Sequence, residues 1–161
     1  MTPEHIRAVQ STWVKVLPVK DAASRLFYER LFEIDPSLRG LFRNDMRQQS
    51  EKLMQVIDAI VNGLSQLERI VPAIQELGRR HIDYGVKDRD YGTVGTALLW
   101  SLGKSLGAEF TPQVRDAWAT LYGVLATTMR EAAPTAQTAD GDTRKDPVRR
   151  TLSLPLPRSS R

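Results

Sequence analysis

Two histidines are the first candidates for chemistry in this chain, which contains no cysteine. His5 lies in the first turn of the first predicted helix, and we expect water to reach it. Ile74, Leu77 and His81 follow one another at i, i+3 and i+7, so on a helix they share one face. A polar ring buried on such an apolar face costs free energy unless it has a partner. His81 is therefore either a core histidine bonded to the backbone or a ligand.

A metal centre built on His81 would have few other protein ligands. The absence of cysteine excludes a disulfide framework, a thiolate zinc site and a cysteine-ligated cluster from this sequence. One neutral imidazole can still hold one axial position of a haem iron. The residues by themselves leave both interpretations of His81 open.

The charge is unevenly distributed along the 161 residues, whose formal net charge is +4. Residues 134–161 hold six Lys or Arg and three Asp, so they contribute +3 and leave only +1 for residues 1–133. A near-neutral body has no electrostatic footprint for nucleic acid. No apolar run approaches the ~20 residues of a membrane span, and no signal-peptide pattern is visible. We expect a cytoplasmic protein without a membrane span.

Residues 1–133 are predicted to form one domain of successive helices. Caps, prolines and apolar periodicity place these helices at about 2–17, 20–34, 47–64, 67–82, 90–106 and 111–132, with a short helical turn at 36–42. No stretch shows sustained period-two alternation, so no sheet is expected. The predicted fold class is all-α.

Residues 134–161 are predicted to be a separate, disordered, basic tail. Four prolines, scattered Ser and Thr and few apolar side chains cannot build a core. The run 154–158, Leu-Pro-Leu-Pro-Arg, has the form of a polyproline ligand for an aromatic groove. The alternative, which we favour, is a solvated segment, because short proline motifs recur by chance.

A set of residues with a characteristic order and spacing runs through residues 3–133. They are Trp13, Phe27-Tyr28, Pro36, Phe42, Gln49, Leu53, His81, Tyr84-Gly85-Val86, Tyr91, Trp118 and Tyr122. The segments 27–32 and 77–86 carry most of the likeness. In this pattern the chain resembles the globin family, and within it the bacterial single-domain globins, which are similar to the haem domain of flavohaemoglobins.

The resemblance implies a helical sandwich around one haem b. His81 would be the proximal metal ligand through one ring nitrogen, and the other nitrogen would donate to the backbone carbonyl of Leu77. Phe42 would pack flat on the porphyrin, although an ordinary core residue at a corner is the alternative. Val86 and Tyr91 are further residues that the resemblance assigns to the cofactor.

The distal side is implied by three residues. Gln49 stands where muscle and blood globins have histidine, Tyr28 matches a ligand-facing tyrosine of bacterial globins, and Leu53 would wall the pocket. A phenol hydroxyl and an amide N–H can both donate to bound dioxygen. The alternatives are a core tyrosine bonded to backbone and a glutamine on a helix surface. Lys52 and Arg80 could pair with the haem propionates, or could lie on solvated faces.

The proximal side departs from the family pattern at one position. In flavohaemoglobin-like domains a carboxylate on the last helix supports the proximal histidine through a tyrosine that Tyr91 matches. The position of that carboxylate is Ala133 here, and Glu131 is two residues away. The support is therefore predicted to be incomplete, which weakens the case for a peroxidase-like, strongly electron-donating proximal ligand.

These features predict a haem protein that reversibly binds dioxygen and other diatomic gases such as NO and CO on ferrous iron, as a monomer or homodimer. One alternative is nitric oxide dioxygenation, which would need a separate reductase because the chain has no Gly-rich dinucleotide fingerprint. Another is a haem-based gas sensor. A third is an all-helical interaction protein without haem.

Overall fold

The computed structural model describes residues 1–42 and 45–132. Within those residues there are α-helices and short 3₁₀ turns but no strand, which confirms the predicted all-α class. The helices are α1 (Pro3–Val16), α2 (Lys20–Ile34), α3 (Met46–Asn62), α4 (Leu67–Asp83), α5 (Asp88–Leu106) and α6 (Pro112–Glu131). A 3₁₀ turn at Pro36–Leu41 connects α2 towards α3.

Side-chain caps decide where several helices begin. Thr2 caps α1 by accepting from the His5 backbone N–H at 3.1 Å, and its own N–H donates to His5 Nδ1 at 3.2 Å. Asp45 caps α3 by accepting from the Arg47 N–H at 3.0 Å. Thr111 caps α6 in the same way, with Pro112 in the first turn. The first-turn N–H groups at these termini thereby gain partners before the intrahelical ladder starts.

Two helices begin slightly earlier than the sequence predicted. Helix α3 starts at Met46 instead of 47, directly after the Asp45 cap. Helix α5 starts at Asp88 instead of 90, because Asp90 acts within the first turn and accepts from the Lys87 N–H at 2.9 Å. At the other ends, Gly85 (φ 88°) and Gly107 (φ 58°) take left-handed conformations beyond α4 and at the end of α5.

The core lies where α2 packs against α5 and where α6 packs against both α1 and α4. The Ser101 hydroxyl of α5 donates to the Ala23 carbonyl of α2 at 2.7 Å, which satisfies a buried polar group where these two helices cross. Between α1 and α6, the Trp118 indole N–H donates to the Thr12 hydroxyl at 2.9 Å. At both crossings a buried polar group therefore has its hydrogen-bond partner on the facing helix.

One glycine lets α4, the helix of His81, lie directly on α6. A Cβ built on Gly78 would stand 2.6 Å from the Met129 Cα and still closer to the Met129 carbonyl oxygen. Any larger residue would push the two backbones apart. Gly78 therefore sets how closely α4, which carries His81, approaches α6.

No helix in the two described stretches is both long and apolar enough to cross a membrane. The predicted tail at 134–161, its proline motif and Ala133 lie outside the described residues, so the predicted division into two regions stays a prediction.

Candidate functional site

His81 is oriented by its own helix. Its Nδ1 lies 2.6 Å from the Leu77 carbonyl oxygen, one turn earlier in α4, which is the contact expected from the sequence. A carbonyl only accepts hydrogen bonds, so Nδ1 carries the proton and donates. In the neutral ring the proton is then absent from Nε2, whose lone pair is available to a metal.

Burial keeps this imidazole neutral. Removal from water lowers the pKa of His81 below its ordinary value of 6.5, against a smaller opposing effect of the hydrogen bond to Leu77. A neutral imidazole is the form that binds metal. Protonation state and ring orientation thus both suit a ligand role.

The ring of Tyr91 lies beside the His81 imidazole. The two ring centres are 6.1 Å apart and the planes differ by 22°, so the rings are nearly parallel. The Tyr122 hydroxyl of α6 donates to the Tyr91 carbonyl at 2.6 Å, which ties this part of α5 to α6. Tyr122 itself packs against Gly95, where a Cβ would come within 2.6 Å of its ring. The surroundings of His81 are therefore built from three helices.

Tyr28 is enclosed by phenyl rings from its own helix, α2, and from the end of the 3₁₀ turn that follows it. Its ring centre lies 4.9 Å from that of Phe27, 5.5 Å from that of Phe42 and 6.1 Å from that of Phe32. Only 5% of Tyr28 is exposed. Burial raises the pKa of its hydroxyl well above the ordinary value, and interaction with Gln49 opposes that rise only in part. Tyr28 is therefore a neutral hydrogen-bond donor at physiological pH.

Gln49 is buried, although its neighbours in sequence suggested that a surface position was possible. It is 3% exposed, and its side-chain oxygen has no hydrogen-bond partner among the described residues. A buried amide oxygen without a partner costs about 1–3 kcal/mol. The orphaned oxygen is an acceptor, so it needs a donor, which a flip of the amide towards the Tyr28 hydroxyl would supply.

One cavity of about 200 Å³ joins these residues. A single water needs only ~10–15 Å³ of such space, so the cavity is far larger than a hydration site. Of the residues that the sequence analysis assigned to the cofactor, all but Arg80 line it. These residues are Tyr28, Phe42, Gln49, Lys52, Leu53, Leu77, His81, Val86 and Tyr91. Arg80 is not among the lining residues, and its Nε lies 3.6 Å from a Glu76 carboxylate oxygen.

The donor set fits a metal that arrives inside an organic ring. Among residues 1–42 and 45–132 no three His, Cys, Asp or Glu side chains cluster as they would around a bare ion. A single imidazole with a free lone pair, facing a large and chiefly apolar cavity, instead suits haem, whose porphyrin supplies four further ligands. Phe42 and Leu53 give that cavity apolar walls, and Lys52 gives it a cation.

Sequence reasoning missed part of the lining. Val94 and Leu98 line the cavity and follow Tyr91 at i+3 and i+7, so helical periodicity could have identified them. Met129 follows Tyr122 at i+7 and could have been found in the same way. Asp90 is different, because a carboxylate that is 5% exposed on an apolar cavity wall has no periodic signal. Its capping contact with Lys87 explains its burial.

Comparison with known proteins gives one consistent answer. A family model described as Globin matches residues 25–129. The chain is 31% identical over 135 residues to a neuroglobin of Tetraodon nigroviridis, a match that covers 75% of this chain and 85% of the relative. It is 30% identical over 135 residues to a neuroglobin of Danio rerio, with the same coverage, and 30% identical over 137 residues to one of Chaenocephalus aceratus, covering 76% and 86%.

These relatives are vertebrate proteins. The comparisons therefore support the globin resemblance predicted from the sequence, but they do not support its narrower form, the likeness to bacterial single-domain globins.

Proposed function

The chain belongs to the globin family, and from that premise we propose that it is a reversible dioxygen-binding protein in which His81 holds haem b and Tyr28 and Gln49 stabilise the bound gas. Membership of the globin family implies that the chain binds haem and supports oxygen binding. When bound, haem supplies an iron centre that takes a diatomic ligand. The absence of cysteine, which rules out thioether attachment through this sequence, supports haem b.

The proximal part of the proposal rests on the state of His81. The hydrogen bond to Leu77 places the proton on Nδ1 and restrains the ring, so Nε2 keeps a lone pair that can act as ligand. Burial disfavours the imidazolium, which cannot bind metal. The hydrogen bonds to a bound gas would then have to come from Tyr28 and Gln49.

The distal part rests on Tyr28 and Gln49, and their convergence with His81 on one cavity is the observation that carries the proposal. The Tyr28 hydroxyl stays protonated and can donate. Gln49 can present either its amide N–H or its oxygen, because the two ends are interchangeable by a flip. As placed, the Gln49 side chain lowers the pKa of Tyr28, as an amide N–H that donates to the phenol oxygen does, and this leaves the one hydroxyl proton of Tyr28 for the gas. If the amide is turned over, the hydroxyl would donate to the orphaned oxygen and the amide N–H would be the donor left for the gas.

An absorption spectrum of the purified full chain tests this function. Both ferric and dithionite-reduced protein should show an intense Soret band. The band of the reduced protein should shift when carbon monoxide is added, and it should shift with dioxygen once the excess dithionite has been removed. His81→Ala should lose that band after haemin titration, whereas His5→Ala, which removes the other histidine, should keep it. Wild-type protein that stays colourless with added haemin would refute the proposal, and so would a His81→Ala variant with an unchanged spectrum.

The alternatives from the sequence stay predictions. Nitric oxide dioxygenation with a separate reductase predicts nitrate well beyond one equivalent per haem under continued reduction. A single stoichiometric burst would instead favour simple gas binding. A sensor role predicts a partner whose affinity changes with the gas bound. NO and CO are expected ligands of the same cavity.

A further inference from the structure

A cation lies against the aromatic ring that neighbours His81. The Arg130 Cζ atom of α6 is 5.7 Å from the centre of the Tyr91 ring, within the range of a cation–π contact. Tyr91 is only 7% exposed, so the guanidinium covers a ring that is otherwise buried, while Arg130 as a residue stays exposed. The guanidinium therefore lies on the outer side of the Tyr91 ring, at the surface, and is not itself part of the cavity lining.

Tyr91 connects this cation to the imidazole. The same ring that Arg130 covers lies nearly parallel to His81, at 6.1 Å between ring centres. The backbone at Tyr91 is held separately, by the hydrogen bond from Tyr122. The hydrogen bond from Tyr122 holds the backbone of Tyr91, and the contact with Arg130 restrains the position of its ring.

The charge of Arg130 reaches into this part of the cavity wall. It lowers the pKa of the Tyr91 and Tyr122 hydroxyls, against the larger rise that burial causes at both. Asp88, exposed in the first turn of α5, raises the pKa of the Tyr91 hydroxyl and acts on it more strongly than Arg130 does. The carboxylate Glu131 beside Arg130 is exposed. The charge packed on the Tyr91 ring is thus a cation, whereas the nearby carboxylates are Asp88 at the surface and Asp90 in the cavity wall.

We propose that Arg130 is a positioning residue of the proximal side, which holds the Tyr91 ring against His81 and raises the reduction potential of the bound haem. This inference rests on the proposed function of His81 as haem ligand. Ferric haem carries one more positive charge than ferrous haem, so a nearby fixed cation destabilises the ferric form relative to the ferrous form. Arg130 thereby favours the ferrous state, which is the one that binds dioxygen.

Spectroelectrochemical titration of the haem-loaded full chain tests the inference. The midpoint potential should fall in the order wild type, Arg130→Gln, Arg130→Glu, because the first change removes the cation and the second reverses it. Arg130→Lys should restore most of the wild-type potential, since it keeps the charge but not the planar guanidinium. Asp88→Asn should shift the potential upward, because it removes the opposing charge.

Arg115→Glu is the matched control. Arg115 is an exposed arginine in the first turns of the same helix and does not line the cavity, so this variant changes the net charge equally without touching Tyr91. A shift in Arg130→Glu no larger than that in Arg115→Glu, or a shift to higher potential, would overturn the inference. If Arg130→Glu loses haem, the Gln and Lys variants decide in its place by the same ordering.

Failure of the proposed function gives a different result. Wild-type protein without a haem spectrum would overturn both proposals together. Wild-type protein with a Soret band, whose potential is indifferent to Arg130→Gln and Arg130→Glu, would overturn only the role of Arg130. Increasing salt should diminish the effect of Arg130→Gln, because the guanidinium is partly exposed and its field is screened.

Discussion

The Nδ1–H of His81 donates a 2.6 Å hydrogen bond to the carbonyl of Leu77, so one turn of α4 sets both the tautomer and the direction of the imidazole. This contact depends only on residues four apart in one helix. The groups that the ring faces come from other helices. The tautomer is therefore set within one helix, whereas the site depends on how several helices pack.

Stability should fall as the pH drops below about 6.5, because of His81. Burial lowers the pKa of His81 in the folded protein below its ordinary 6.5. Between that folded value and 6.5 the unfolded chain binds a proton that the folded chain does not, so acid favours unfolding, by at most about 1.4 kcal/mol per pH unit.

Urea unfolding of the apoprotein from about pH 7 to about pH 5 measures this slope. His81→Gln should flatten it and His5→Gln should keep it; equal slopes in all three proteins would show that His81 is not the group responsible.

Dioxygen release should accelerate when either distal donor is removed. A hydrogen bond in a buried site contributes on the order of 1–3 kcal/mol, so Tyr28→Phe and Gln49→Leu are each expected to speed release by roughly tenfold to a hundredfold. Stopped-flow or flash-photolysis kinetics give the rates.

The Tyr28→Phe, Gln49→Leu double variant tests whether the two donors act as a pair. Because the Gln49 side chain interacts with the Tyr28 hydroxyl, the combined effect should be smaller than the sum of the two in free energy. Strict additivity would mean that they bind the gas independently, and unchanged rates in both single variants would exclude the distal role.

Stability should also fall above about pH 10, because of the buried tyrosines. Burial raises the hydroxyl pKa of Tyr28 and Tyr122 above the ordinary 10.0. Above pH 10 the unfolded chain releases these protons while the folded chain retains them, so rising pH favours unfolding. Tyr28→Phe should make the decline between about pH 10 and about pH 11 shallower, by up to about 1.4 kcal/mol per pH unit. Urea unfolding in parallel with wild type measures it, and an unchanged slope would contradict the assigned burial of the hydroxyl.

Gly78→Ala should destabilise the protein and weaken haem binding. The new methyl group would overlap the Met129 backbone, and relieving that overlap must move α4 away from α6. We expect a loss of about 1–3 kcal/mol in the free energy of unfolding. Gly92→Ala is the matched control on α5, because nothing lies within 4 Å of a Cβ there, and helix propensity predicts a gain of up to about 1 kcal/mol. Urea unfolding of both variants checks the opposite signs, and a neutral Gly78→Ala would mean that the two helices separate freely.

The sequence by itself determined the features that depend on neighbours along the chain. Thr2 and Thr111 capped the helices where expected, and the spacing of Leu77 and His81 set the bond that orients the imidazole, because capping and i to i+4 contacts are complete within one turn. The order of aromatic and polar residues was also sufficient to indicate the globin family, which the family comparison confirmed.

Only the tertiary structure decided which of these residues meet. Gln49 has polar neighbours in sequence and could have faced water, but α3 turns it into the cavity beside Tyr28 of α2. The contact of Arg130 with Tyr91 joins α6 to α5. The close packing of α4 on α6 depends on the absence of a side chain at Gly78. Such contacts follow from how whole helix surfaces pack, and close packing depends on the shapes of residues far apart in the chain. No local pattern in the sequence carries that information.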